Sequence, residues 1–437
     1  MSTTSAPATA DPEAQVGRSR PERPFFWHAF FLAMTTSFTE INTVMPALVL
    51  AAGGGVVAVG ALTAVMIGLP LVSQLLLAGF LTTRPRKRPY LLLGIHLRVA
   101  ALAGAAWGIA ALGTDPRVIG VVFLAMTVFA MSGAFAGVSY TDMVGTLVPS
   151  WRRRSFFVRR QVLTTLGLLT SALVVRFLLG STSFPQGYVL LFALAAGVLL
   201  VASWGFWLLH EPRSTPPDRP RASVLRAVGQ APRMLSADPN LRALVGVANL
   251  AALGFTSIPL LTALAHGRYE LTATAVGTFV LVQIAGMLLS SPVWNRVIRA
   301  GGYRLVLGAE LVLLATVFPL ALVLSATAPL TVYAGVFLLS GAVMSAHKIG
   351  LEGALVQISP DGERALYAGL FGAANLGAAV LPLMAGGAVA WLGFTPRARG
   401  RRGGRAGRPG AAADAVVRRL VPRGVSPGPA PTTGPRP

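Results

Sequence analysis

The chain has 437 residues, of which 54% are hydrophobic and only 12% charged, whereas a soluble domain carries about 25% charged residues. That balance excludes an ordinary soluble domain, and long apolar runs without alternation select membrane helices over a barrel. A formal charge of +22 would suggest nucleic acid in a soluble protein, but here the charge follows topology, and no nucleic-acid partner is expected.

The fold class expected is an all-α polytopic membrane protein. Residues 1–26 read as a disordered cytoplasmic arm. Trp27–Leu50 is too long for a signal-peptide h-region and reads as an uncleaved first span. It carries Glu40, with Thr39, Asn42 and Thr43 beside it and Pro46 beyond. Gly53 to Gly55 mark a tight outer turn, and span 2 covers 57–82. The basic run Arg84 to Pro89 leads to span 3 (90–112), the turn Thr114-Asp115-Pro116, and span 4 (118–147). The loop Pro149 to Arg160 is the most densely basic, and spans 5 and 6 follow at 161–181 and 187–209. Residues 211–242 are Pro-rich and charged and read as a cytoplasmic linker between a first bundle, 27–210, and a second, 243–394. Spans 7 to 11 are expected at 243–265, 272–294, 303–325, 329–352 and 365–393.

With the N-terminus in the cytoplasm, 22 Lys and Arg fall on inner segments and two, Arg117 and Arg268, on outer loops. This is the positive-inside pattern, and it points to a multi-pass protein of the plasma membrane. Residues 395–437 break the pattern, since ten Arg stand there with many Pro and Gly. Two readings stay open. One is a disordered basic tail that meets acidic lipid, glycan or nucleic acid. The other is a twelfth span replaced through a frame change in GC-rich coding sequence, which fits 35 Arg against 2 Lys.

The halves repeat at a spacing near 212 residues. Gly79 to Arg84 aligns with Ser291 to Arg296, Val148 to Arg153 with Ser359 to Arg364, and Phe38 to Ile41 with Phe255 to Ile258. The pattern resembles the major facilitator superfamily, whose two six-helix bundles are joined by a long cytoplasmic linker. The motif between its helices 2 and 3 reads G-x-L-x-D-R, and Gly79, Leu81 and Arg84 match it, with Thr83 at the acidic position. The second copy keeps Arg296 with Asn295 at that position, and the P-x-x-x-R turns hold Arg153 and Arg364. The resemblance implies a cytoplasmic gate built on these residues and two pseudo-symmetric bundles, here divided as 6+5 spans.

Inside the spans stand the acids Glu40, Asp142, Glu310 and Glu352 and the bases Arg98, Arg176 and Lys348. Intramembrane charges are paired or functional. Arg98 lies about 12 Å into span 3 and Asp142 about 10 Å from Pro149, so an Arg98–Asp142 pair is expected. Lys348 and Glu352 share a helix face, and a Glu310–Lys348–Glu352 cluster is expected with them. These read as locks between helices, while Arg176 snorkels to the headgroups. Glu40 has no basic residue in its own span. The resemblance places helix 1 on the central cavity, where Glu40 carries a proton; the alternative is a neutral Glu bonded to backbone near Pro46. Asn42, Asn249, Gln283 and Asn375 are further candidates for the substrate and proton pathway, with helix–helix hydrogen bonding as the alternative; Gln74 is weighed alike.

No Cys is present, the five His show no ligand spacing, and there is no phosphate-binding loop. No catalytic residue, metal or cofactor is expected, and the chain is not read as an enzyme. The function expected is secondary transport of a small solute by alternating access, proton-coupled and directed to efflux, by a monomer in the lipid bilayer. The alternative is a transporter-like protein that no longer transports.

Overall fold

The computed structural model describes residues 22–82, 84–149, 152–209, 211, 224–359, 367, 371–372, 374–375 and 377–392. Among them there are helices and no strands. In the first half these are α1 (Arg23–Phe38), α2 (Val44–Ala51), α3 (Val56–Thr82), α4 (Arg88–Leu112), α5 (Val118–Leu147), α6 (Arg153–Ser181) and α7 (Gln186–Trp207). Then follow α8 (Val224–Ala237), α9 (Pro239–Phe255), α10 (Ser257–Arg268), α11 (Ala273–Thr327), α12 (Leu330–Tyr333), α13 (Gly335–Ile358) and α14 (Gly377–Leu392). The basic tail 395–437 and most of the N-terminal arm lie outside the described residues.

Seven described helical segments are long and apolar enough to cross a membrane. The sequence reading expects eleven spans; spans 2 and 11 include residues or side chains outside the described ones, and the rest of the difference has structural causes. Span 1 is broken into α1 and α2, of 16 and 8 residues, each shorter than the roughly 20 that a bilayer needs. Spans 8 and 9 run together as α11, which turns at Gly301 and Gly302. Gly302 has φ 70°, a conformation open to glycine at no steric cost. The linker is also more ordered than its proline content implies: 14 of its residues form α8.

Local chemistry sets the helix ends. Asp238 caps α9: its Oδ1 accepts from the amides of Asn240 (2.8 Å) and Leu241 (3.1 Å), with Pro239 in the first turn. Its Oδ2 accepts from the Tyr367 hydroxyl at 2.8 Å. Thr272 caps α11 through the Ala275 amide. At the expected turn after α4, Asp115 accepts from the Arg117 amide at 2.8 Å and its guanidinium at 2.9 Å.

Antiparallel helices alternate between two faces. One carries α8 and the loop between α3 and α4 and is called the linker face. In the first half, α1 lies between α6 and α7, and α4 packs on α5 and α7. Phe25 of α1 anchors the linker end, with the rings of Tyr140, Phe156 and Phe206 edge-on at 5.4–6.0 Å. In the second half, α11 and α13 cross closely. A Cβ at Gly341 would lie 1.9 Å from the Gln283 carbonyl, and one at Gly286 would lie 2.1 Å from that of Leu338. This is small-residue packing as membrane helices use it.

The two halves meet through α3 on α14 and α6 on α11. Their tightest described approaches lie toward the face opposite the linker. A Cβ at Gly60 would stand 2.4 Å from the Pro382 carbonyl, and one at Gly277 would stand 2.5 Å from the Arg176 Cα. The halves are thus pressed together on that side.

Candidate functional site

The break in span 1 follows from its residues. Thr35, Thr36 and Thr39 each turn a hydroxyl back to the carbonyl four residues before, at 3.1, 2.9 and 3.0 Å. Such back-bonding weakens and bends a helix. Pro46 then lacks the N–H that would donate to the Asn42 carbonyl. Between these features the ladder fails: the Glu40 amide donates to Ser37 O, and the Met45 amide reaches back to Glu40 O at 3.0 Å. In the gap, Glu40 Oε1 accepts from Asn42 Nδ2 at 2.8 Å and from the Asn42 amide at 3.2 Å. The Asn42 carbonyl freed by Pro46 accepts the Thr262 hydroxyl of α10 at 2.9 Å. The break therefore also ties the first half to the second.

Span 7 has a milder irregularity at the matching place, where Thr256 keeps helical dihedrals (φ −60°, ψ −23°). Thr256 separates α9 from α10, and its hydroxyl and that of Ser257 bond back to Leu253 and Gly254. Pro259 withholds the next amide. The repeated Phe-Thr-x-Ile motif thus marks a broken helix in the first half and only a local irregularity, with helical dihedrals kept at Thr256, in the second.

A cavity of about 470 Å³ lies on the linker side of the break in span 1, walled by both halves. From α1 come His28, Leu32, Thr36 and Glu40; from α4 to α6 come Arg98, Tyr140, Arg160 and Thr164. The second half adds Gln283, Met287, Met344 and Lys348. Gln283 Nε2 lies 3.0 Å from Met344 Sδ, and Asn42 Nδ2 lies 3.7 Å from the same sulfur. Glu40, Asn42, Met344 and Gln283 form a line of polar and polarizable groups across the seam. A larger groove of about 660 Å³, lined by Arg86, Leu92, His96 and Trp207 among others, draws its walls from the first half only.

The structure brings Glu40, Asn42 and Gln283 together and leaves the other two candidates apart. Asn249 clamps α9 to the start of α14, donating to Val245 O and Ala374 O and accepting from the Gly377 amide, all at 3.0 Å. Asn375 is not on the cavity wall, and its Oδ1 is buried without a partner among the described residues. The side chain of Gln74 lies outside the described residues.

One expected charge grouping is corrected, and the other falls in part outside the described residues. Arg98 stacks on Phe129 at 4.1 Å and faces Gly133. The side chain of Asp142, the expected partner of Arg98, lies outside the described residues. In the second half, Glu310 meets His347 at 2.6 Å instead of Lys348. Neighbours on a helix point about 100° apart: His347 turns to Glu310, while Lys348 turns to the cavity. Glu310 is fully buried, and Glu352 is exposed and outside the grouping. Arg176 is exposed near the end of α6, in keeping with the expected snorkelling.

His28, Tyr140, Arg160 and His347 do not stand out in the sequence. Gly133, Ala136, Gly137 and Tyr140 line one face of α5 at helical spacing. That small-residue stripe is the signal that locates the wall.

The sequence profile of the Major Facilitator Superfamily matches residues 26–382. The chain belongs to this superfamily. Solved structures of similar fold include a POT family transporter in complex with 5-aminolevulinic acid (13% identity, 89% of this chain and 93% of that one, TM-score 0.65). Others are a mutant form of the nucleoside transporter NupG (13%, 85% and 92%, 0.64) and a D-xylose-proton symporter (14%, 86% and 88%, 0.57). No curated protein matches significantly. As a superfamily member the protein is a multi-pass secondary transporter and not an enzyme.

The superfamily gate motif is held here in an unexpected way. Glu211, after α7, accepts from the amides of Lys87 (2.7 Å) and Arg88 (2.8 Å) at the start of α4. Lys87 Nζ donates to the Arg84 carbonyl, and the Arg88 guanidinium to Trp207 O. A carboxylate from another segment thus braces the loop whose own motif position is Thr83. Gly79 and Leu81 lie in α3, Arg153 opens α6, and Arg296 is exposed on α11. The side chains of Leu81 and Arg153, and all of Arg364, lie outside the described residues.

Proposed function

We propose that the protein carries a small organic solute through the central cavity by alternating access, with Glu40 carrying a coupling proton. The observation behind this reading is the break in span 1, which puts an acid where cavity, broken helix and inter-half contact meet. A proton on Glu40 changes its bond to Asn42, and Asn42 is tied through its carbonyl to α10. Protonation and the fit between the halves therefore act on the same residues. The halves touch on the far face while the cavity lies toward the linker, which is the form that takes solute from the linker side. The abundance of Lys and Arg puts that side in the cytoplasm, and the direction proposed is efflux across the plasma membrane by a monomer.

The test is flux in proteoliposomes with and without a pH gradient, using a solute found by thermal-shift screening. Gradient-driven flux that Glu40→Gln abolishes supports the reading. Full gradient-driven flux in Glu40→Gln defeats the coupling role. No flux of any stabilising solute favours the transporter-like protein that no longer transports.

A further inference from the structure

The charges on the cavity wall do not balance. Arg98, Arg160 and Lys348 line it, and Glu40 is the only acid among the described lining residues. Glu40 is already engaged by two donors from Asn42. Arg98 meets no carboxylate among the described residues; its guanidinium lies on the Phe129 ring, and its Nε is buried without a hydrogen-bond partner. Arg160 lies over the Tyr140 ring at 5.3 Å. Of the other intramembrane acids whose side chains are described, Glu310 is bonded to His347, and Glu352 is not on the wall. Uncompensated charge inside a membrane protein is costly, and a low-dielectric cleft of one sign concentrates the opposite ion.

We infer that the solute is an organic anion, its carboxylate, sulfonate or phosphate held by Arg98 with Lys348 and Arg160, and its apolar body against Leu32, Leu168 and Met287. This rests on the cavity being the solute site proposed above. Lys348 belongs to the second half and Arg98 and Arg160 to the first, so one bound anion bridges the seam. The bound anion supplies the counter-charge that the wall lacks.

The test uses purified full-length protein and sets of matched probes that differ in charge alone: benzoate, benzamide and benzamidine, and the corresponding naphthalene and biphenyl derivatives. Thermal stabilisation is expected from the carboxylates over their amides and amidines in at least one set. Arg98→Gln is expected to weaken carboxylate binding about tenfold, the low end of the loss for a hydrogen bond to a charged group. Lys348→Gln and Arg160→Gln provide the same test at less buried positions should Arg98→Gln fail to fold. Equal response within every set, no response at all, or preference for the amidine overturns the inference. Carboxylate binding without flux in proteoliposomes would leave the anion site standing and defeat the transport reading; flux of amides or amidines without carboxylate preference would do the reverse.

Discussion

The two halves carry the same Phe-Thr-x-Ile motif, and it breaks the helix in only one of them. In the first, the gap after Phe38-Thr39 holds Glu40, bonded to Asn42 and open to the cavity. In the second, the backbone stays helical through Thr256, and Ser257 spends its hydroxyl on the Gly254 carbonyl. The second half keeps its buried acid elsewhere, as Glu310 paired with His347, whose ring packs against Phe255 at 4.5 Å. One half exposes its charge to the solute path and the other seals it in helix packing. A repeated sequence motif thus ends in different backbone and different chemistry in the two copies.

The largest effect expected is at Glu40. Glu40→Gln should remove the pH-driven component of flux entirely, and adding Ser257→Glu should not restore it, since that site does not reach the cavity wall. Restoration would erase the distinction between the halves. Next comes the sealed pair. His347→Ala strands a fully buried carboxylate and should lower unfolding free energy by about 3–5 kcal/mol; Glu310→Ala leaves a His347 that is partly exposed and should cost less, while Lys348→Gln should leave stability nearly unchanged. Thermal or denaturant melts in one detergent compare them directly. Gly60→Ala forces a methyl group to within 2.4 Å of the Pro382 carbonyl, and such overpacking costs about 1–3 kcal/mol. Because the chain has no Cys, one engineered Cys near the far face should show faster thiol labelling in this variant. Thr262→Val leaves the Asn42 carbonyl without its donor, at a cost of about 1–3 kcal/mol. Pro46→Ala returns an amide to that carbonyl, so the double variant should be less destabilised than the two single changes combined.

The smallest effect is at the cap of α9. Burial pushes the Asp238 carboxyl up, but the Tyr367 hydroxyl and the amides of Leu241 and Asn240 together hold it below the usual range. Its contribution to stability is present above the unfolded value, about 3.9, and is lost as pH falls through the lower folded value. Asp238→Asn keeps a capping oxygen and should flatten the acid side of the melting curve with little change at neutral pH.

Much of this was open to reading in the sequence. The apolar runs, the central linker, the turns at Gly53 and Asp115, and the Phe-Thr-x-Ile repeat all carry local signals that survive into the fold. Facing directions were not legible in the same way. A helix that is apolar on every side has no polar face to orient it, so nothing in the residues at 347 and 348 says which one turns inward. Arg160 reads as one more cytoplasmic cation, and only the fold sets its guanidinium over Tyr140. Asn249 and Gln283 look alike in sequence, yet one is a clamp and the other a wall. The break in span 1 had its ingredients in plain view, three Thr and a Pro. Its consequence, a carbonyl offered to the other half, needs the position of Thr262.

The unbalanced cavity gives the transport cycle a voltage. Moving one elementary charge across the membrane is worth about 2.3 kcal/mol per 100 mV. On the proposed reading, with the linker face in the cytoplasm, an inside-negative potential would hold an empty, positive cavity open toward the cell interior. An anion that enters would cancel much of that charge and free the halves to rock outward, and the same field would then favour the anion's departure. The cations on the wall would make the resting carrier wait on the side where its cargo is.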